Sequence, residues 1–169
     1  MARVTYENLF SESRNNVVTL ISNVSNVPDP VSSAAEVRKR IYSREPDLKA
    51  SNFAGFPFII INPADVDIEE GGSLDMKSKF VAWDIEIEIV ASDRGYGEED
   101  GKGLSHIDTI TNNVMKTLLN KTNRLTLSSN ALKFLRPITT GVTTETMADT
   151  LIYRRSIMLS FRSRIQVSA

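Results

Sequence analysis

The chain has 169 residues, 41% hydrophobic and 24% charged, with 20 basic against 21 acidic side chains, one histidine and no cysteine. Such a length is that of one domain able to bury roughly 70% of its unfolded surface, while the missing thiols exclude a disulfide framework, a cysteine nucleophile and thiolate metal sites. No apolar run approaches the ~20 residues that cross a bilayer and the N-terminus lacks an apolar signal core, so the sequence reads as soluble, with no membrane partner, kept in a cytoplasm or inside an assembly.

Residues 5–24 carry Tyr6, Leu9, Phe10, Val17, Leu20, Ile21 and Val24 at helical spacing behind Thr5 as N-cap. The stretch "VPDPVSS" cannot continue that helix, because Pro28 and Pro30 lack amide donors. Residues 26–50, including "EVRKRIYSREPD", read as an extended linker or arm within the domain. "GFPFIIINP" is a continuous apolar run between Gly55 and Pro63, the pattern of a central strand buried on both faces. The acidic, glycine-punctuated "ADVDIEEGGSLDMKS" reads as a loop.

A strand is then expected from about Lys79 to Ser92, in which Asp84, Glu86 and Glu88 alternate with Trp83, Ile85, Ile87 and Ile89. Its length is far beyond the usual five or six residues, so part of it projects or bends. "DRGYGEEDGKG" is a loop by composition. Leu104, Ile107, Ile110, Val114 and Leu118 predict a helix, with Ser105 as N-cap and Asp108 in the place of a capping-box acid. "TNRLTLSSN" adds a helical turn, "ALKFLRPI" a strand ended by Pro137, and "TTGVTTETMAD" a polar turn. The last element is a second long strand, Leu151 to Ile165, with an apolar face and a basic one bearing Arg154, Arg162 and Arg164. The order predicts an α+β domain over residues 1–169, with a mixed, largely antiparallel sheet of four to five strands and two main helices on one face.

Charge is balanced in total and segregated along the chain. Residues 64–100 hold twelve acids against three bases, and residues 150–169 hold four arginines and no acid. Opposite regions of this kind attract each other within or between copies, whereas a nucleic-acid binder presents a net basic face. If the two long strands are neighbours, Asp84, Glu86 and Glu88 face Arg154, Arg162 and Arg164 across the sheet, each pair contributing roughly 0.2–1 kcal/mol.

Catalytic readings find little support. His106 has Ser105 and Asp108 near it in sequence, but residues one or two apart on a helix diverge and build no relay, so His106 reads as an exposed first-turn residue. The strand carboxylates could hold a hard cation through oxygen, yet three acids on one strand face with no converging loop read as a solvated or ion-paired surface. "GYGEEDGKG" lacks the ending of a phosphate loop, and Glu98, Glu99 and Asp100 would repel phosphate. "RKRIYSRE" is a weak basic patch, better suited to an acidic protein partner than to nucleic acid. Trp83 reads as core or interface packing. No catalytic residue, metal ligand or cofactor is expected.

The segments "RIYSREPDLKASNFAGFPFIIINP", "FVAWDIEIEIVASDRGYGEEDGKGLSHIDTI" and "LIYRRSIMLSFRSRIQV" resemble the tail terminator, or tail completion, proteins of long-tailed bacteriophages and related tailed viruses, over roughly residues 38–167. The resemblance implies a non-enzymatic virion protein, assembled in the host cytoplasm as a ring, usually hexameric, at the head-proximal end of the tail. Its implied partners are further copies of itself, the major tail tube protein, the head–tail connector protein, the end of the tape measure, and genomic DNA that passes without specific binding. Candidate contacts to the neighbouring subunit or tube are Arg40, Tyr42, Arg44, Asp84, Glu86, Glu88, Arg154, Arg162 and Arg164. Candidate lumen or connector-facing positions are Glu69, Glu70, Asp75, Glu98, Glu99 and Asp100. Other readings are a head–tail adaptor, a tube subunit, or a small metal-dependent hydrolase using Asp84, Glu86 and Glu88.

Overall fold

The computed structural model describes residues 6–23, 40–51, 53–69, 78–93, 102–127, 132–147 and 149–166. In chain order these form helix α1 (Tyr6–Ser22), strands β1 (Ile41–Tyr42), β2 (Phe58–Glu69) and β3 (Ser78–Ser92), helices α2 (Gly103–Leu119) and α3 (Lys121–Leu127), and strands β4 (Leu132–Thr139), β5 (Thr143–Met147) and β6 (Thr150–Gln166). One six-stranded sheet runs β1-β2-β3-β6-β4, with β5 also on β6. Only β1 and β2 are parallel. The expected α+β class, with a mixed and largely antiparallel sheet, holds.

The spine of the sheet is β3 against β6, in register from Ser78↔Gln166 to Ser92↔Ile152. Strict alternation puts Val81, Trp83, Ile85, Ile87, Ile89 and Ala91 of β3, with Ile157, Leu159 and Phe161 of β6, on one face, all buried. Val17 and Ile21 of α1 and Ile107, Ile110, Val114 and Leu118 of α2 close over them in one core, so the two main helices share that face. Each such aliphatic side chain contributes roughly 1.5–3 kcal/mol by leaving water. Trp83 is the centre: its ring stacks on Phe161 at 5.9 Å and meets the edge of Phe10 at 5.5 Å. Its indole N–H donates to Ser13 Oγ at 3.0 Å, and that hydroxyl donates to the Phe10 carbonyl at 3.1 Å. Arg14 Nε donates to the Ile61 carbonyl at 3.1 Å, tying α1 to β2 as well.

Several expectations are corrected. The acidic stretch after Pro63 is strand as far as Glu69, paired from Val66↔Trp83 to Glu69↔Phe80 after a register shift. Composition hid the alternation of Val66 and Ile68 with Asp65, Asp67 and Glu69, and a strand partner outweighs the low strand preference of the acids. Pro137 does not end β4, which continues to Thr139, because an edge strand tolerates a missing donor. The polar turn after it contains β5, whose threonines have the branched side chains that strands favour. Helix α2 starts at Gly103, not after Ser105, and the N-cap position is held by Lys102 with no side-chain capping bond. His106 is buried rather than exposed. Of the expected arm, Ile41–Tyr42 is laid along β2; residues 26–39, like Thr5, lie outside the described residues.

Candidate functional site

The face of the sheet away from the helices carries the polar half of the alternation. At one end it is sealed by a second apolar cluster, Phe58, Ile60, Val90 and Ile152, covered by Tyr42, Leu48, Phe53 and Phe56. The covering segment, residues 43–57, turns back at Gly55, whose φ of +91° favours glycine, and enters β2 through a cis Phe56–Pro57 peptide. Tyr42, Phe53 and Phe56 all pack within 5.3–5.6 Å of the Phe58 ring, so one aromatic residue anchors the cover.

Arg154 ties this cover to the sheet. Its Nη2 reaches Glu45 Oε1 at 2.5 Å, its Nη1 Glu88 Oε1 at 3.0 Å, and its Nε Glu145 Oε1 at 2.9 Å. The carboxylates come from the cover, β3 and β5. Partial burial pulls the guanidinium towards losing its proton, but the bonds to Glu45, Glu145 and Glu88 outweigh that and raise its pKa, so the cation is permanent. Glu45 and Glu145 are about half exposed, at 54% and 46%, and each pair is worth under about 1 kcal/mol; Glu88, at 21%, is the costlier to leave alone.

The expected facing of acids and arginines is offset. Opposite Asp84, Glu86 and Glu88 stand Ser160, Met158 and Ser156, and Arg154 and Arg162 lie opposite Val90 and Ala82. Glu88 therefore reaches Arg154 on the diagonal, while Glu86 accepts from the Ser156 hydroxyl. Arg162 sits over the Phe80 ring, 4.5 Å from its centroid, and Arg164 holds the register position opposite Phe80. Arg40 is buried within its own chain and donates from Nη1 to the Phe56 carbonyl at 3.2 Å. Arg44 is exposed. Glu69 stands at the end of β2, and Glu70, Asp75, Glu98, Glu99 and Asp100 lie outside the described residues. Among the described residues no three acids or histidines gather to hold a metal ion, and no helix is long and apolar enough to cross a membrane.

Two features escaped the sequence. Beside the cover lies a cavity of about 520 Å³, walled by Tyr42, Arg44, Pro46, Ala50 and Phe53 among others; the Tyr42 hydroxyl itself is buried and has no hydrogen-bond partner among the described residues. At the same end of the sheet, Asp93 takes over the start of α2. Its Oδ1 accepts the Gly103 N–H at 3.2 Å and its Oδ2 the Tyr153 hydroxyl at 3.1 Å. An acid ten residues before a helix is not a sequence-level cap, yet it satisfies an orphan amide and the positive helix end together.

Strand β5 follows β4 along β6, pairing residues 150–154 where β4 pairs residues 157–163. All five residues of β5 are exposed, and Met147 and Leu151 at its tip are 44% and 40% exposed.

No family model matches the sequence, and no curated protein matches it. Among solved structures the fold is similar to that of a chain in "Virion of native gene transfer agent (GTA) particle", with a TM-score of 0.53 and 19% identity, covering 96% of this chain and 100% of that chain. At that identity the likeness is one of fold, and it extends over nearly the whole of both chains.

Proposed function

We propose that the protein is a structural, non-enzymatic component of a phage-like virion, and that it closes as a ring, a hexamer, on the head-proximal end of the tail tube. The observation that carries the reading is the end-to-end likeness of fold to a chain of a gene transfer agent virion. The segregated charge and the exposed hairpin agree with a part built to meet its neighbours. In this account the ring adds to the last tube ring, its far face accepts no further tube subunit, and that face offers the docking surface for the connector. The mechanism is steric and needs no chemical step.

Removing the protein from an assembling particle should leave headless tails with overgrown tubes, visible by electron microscopy. Tails of ordinary length joined to heads in its absence would refute the terminator role. A tube subunit differs in polymerising by itself, and a head–tail adaptor in leaving tail length unchanged when removed.

A further inference from the structure

We infer that Pro63 and Pro137 act as gatekeepers: they stop the two edges of the sheet, which otherwise match row for row, from joining copies of this chain into an open-ended sheet. The inference goes beyond the ring reading and stands whether or not the protein caps a tube.

The edges are β4 on one side and, beyond β1, the outer half of β2 on the other; among the described residues no strand pairs with either from outside. The registers carried across β3 and β6 place Asn62 in one row with Ile138, Pro63 with Pro137 and Val66 with Phe134, and the match continues to Ile68 and Leu132. Between Pro63 and Val66, and between Phe134 and Pro137, each edge has two residues where β3 and β6 have one, Asp84 and Ser160. The two bulges therefore fall at the same level and leave the register between the edges unchanged. Because β2 and β4 run in opposite directions, β4 of a second copy laid beside β2 would meet an antiparallel partner of matching length. Matched free edges of this kind invite pairing between copies.

What closes them is the direction of the backbone groups. Bonded and non-bonded rows alternate along an antiparallel ladder, and the N–H and C=O of one residue point to the same side. The Thr140 N–H donates to the Ser156 carbonyl at 2.9 Å, which makes that row bonded and the row of Pro137 and Leu159, three further on, non-bonded. Pro137 thus turns its backbone nitrogen and carbonyl off the edge. In the next ladder the Asp93 N–H donates to the Leu151 carbonyl at 3.0 Å, which makes the row of Ile85 and Leu159, eight further on, bonded. Ile85 therefore turns away from Pro63, and Pro63 also points outward. Ile61, two residues before it, has the same phase, and its carbonyl is taken by Arg14 Nε at 3.1 Å. Extending the sheet would make Pro63 and Pro137 a directly opposed bonded pair in which neither has an N–H to give and a proline ring fills the place of each hydrogen. Neither proline costs its own subunit a ladder bond, since its nitrogen points away from that ladder.

Replacing both prolines by threonine supplies the missing donors. In sedimentation and electron microscopy, the Pro63→Thr, Pro137→Thr double variant should pass from the wild-type mass to one that climbs with concentration, as ribbons or fibres. The Asn62→Thr, Ile138→Thr control, in the neighbouring row whose amides point inward, should keep the wild-type mass. A proline double variant that keeps the wild-type mass overturns the inference, and so does a control that grows as much. The register is read separately in a Pro63→Cys, Pro137→Cys variant, in a chain with no other cysteine. Oxidised and mapped by mass spectrometry, its links between copies should join position 63 to position 137. Links spread evenly over 63–63, 137–137 and 63–137, or no links, overturn it, with circular dichroism confirming the fold of each variant.

Discussion

Arg154 shows how much one side chain can organise when three elements need the same counter-charge. Replacing it by methionine keeps the aliphatic packing and strands Glu88 in a half-buried position, so Arg154→Met should lower stability by about 1–3 kcal/mol in urea denaturation. Amide exchange in residues 43–51 should quicken as the cover loses its tie to β6; a variant with unchanged stability and exchange would contradict the role given to the cluster. Tyr153 offers a test by pH. Desolvation, the hydrogen bond to Asp93 and the charge of Asp93 together raise its pKa above the ordinary 10.0. A raised folded-state value means that its contribution is complete below about pH 10 and is lost as pH climbs through the folded value. Tyr153→Phe lacks that loss, so the stability gap between wild type and variant, constant at neutral pH, should narrow in alkaline solution; a gap that stays constant rules the link out.

Among the elements, the start of α2 reverses a usual rule. Exchanging glycine for alanine in a helix ordinarily stabilises by about 1 kcal/mol, but a Cβ on Gly103 would lie 2.6 Å from Tyr153 Cδ2 and 2.9 Å from the Ser92 carbonyl carbon. Gly103→Ala should therefore destabilise, by about 1–3 kcal/mol in thermal or urea unfolding, whereas Gly141→Ala, with nothing within 4 Å, should fall within about 0.5 kcal/mol of wild type. A stabilising Gly103→Ala would disprove the close packing. The elements legible in the sequence were those with an unbroken period: α1, α2, β3 and β6 lie within about two residues of where the apolar spacing put them. Those hidden by composition were β5 and the outer half of β2, where threonines and acids signal turn or loop and only a neighbouring strand decides otherwise. The Asp93 cap was hidden for a different reason, being a contact between a strand end and a helix start that no local motif encodes.

At the scale of the whole molecule, segregated charge was legible as a tendency and illegible as a pattern. The acids of β3 and the arginines of β6 are on adjacent strands, the condition under which they were expected to face each other, but the register that places Ser156 and Ser160, not arginines, opposite Glu88 and Asp84 is set by the full pairing of fifteen-residue β3 with β6. Between β3 and β6, among the described residues, Glu88 pairs with Arg154 within the subunit. Strand β5 and the flanking Met147 and Leu151 are part of the sheet left exposed within the subunit. A terminator ends a tube by forming one ring on it. Electron microscopy of tube protein polymerised with and without the purified chain, with native mass measurement of the complex, tests it most directly. The expected result is a single added ring at one end of each tube, a fixed number of copies, and growth stopped at that end. Tubes that keep growing with the chain free in solution, or a chain that polymerises without limit by itself, would contradict it.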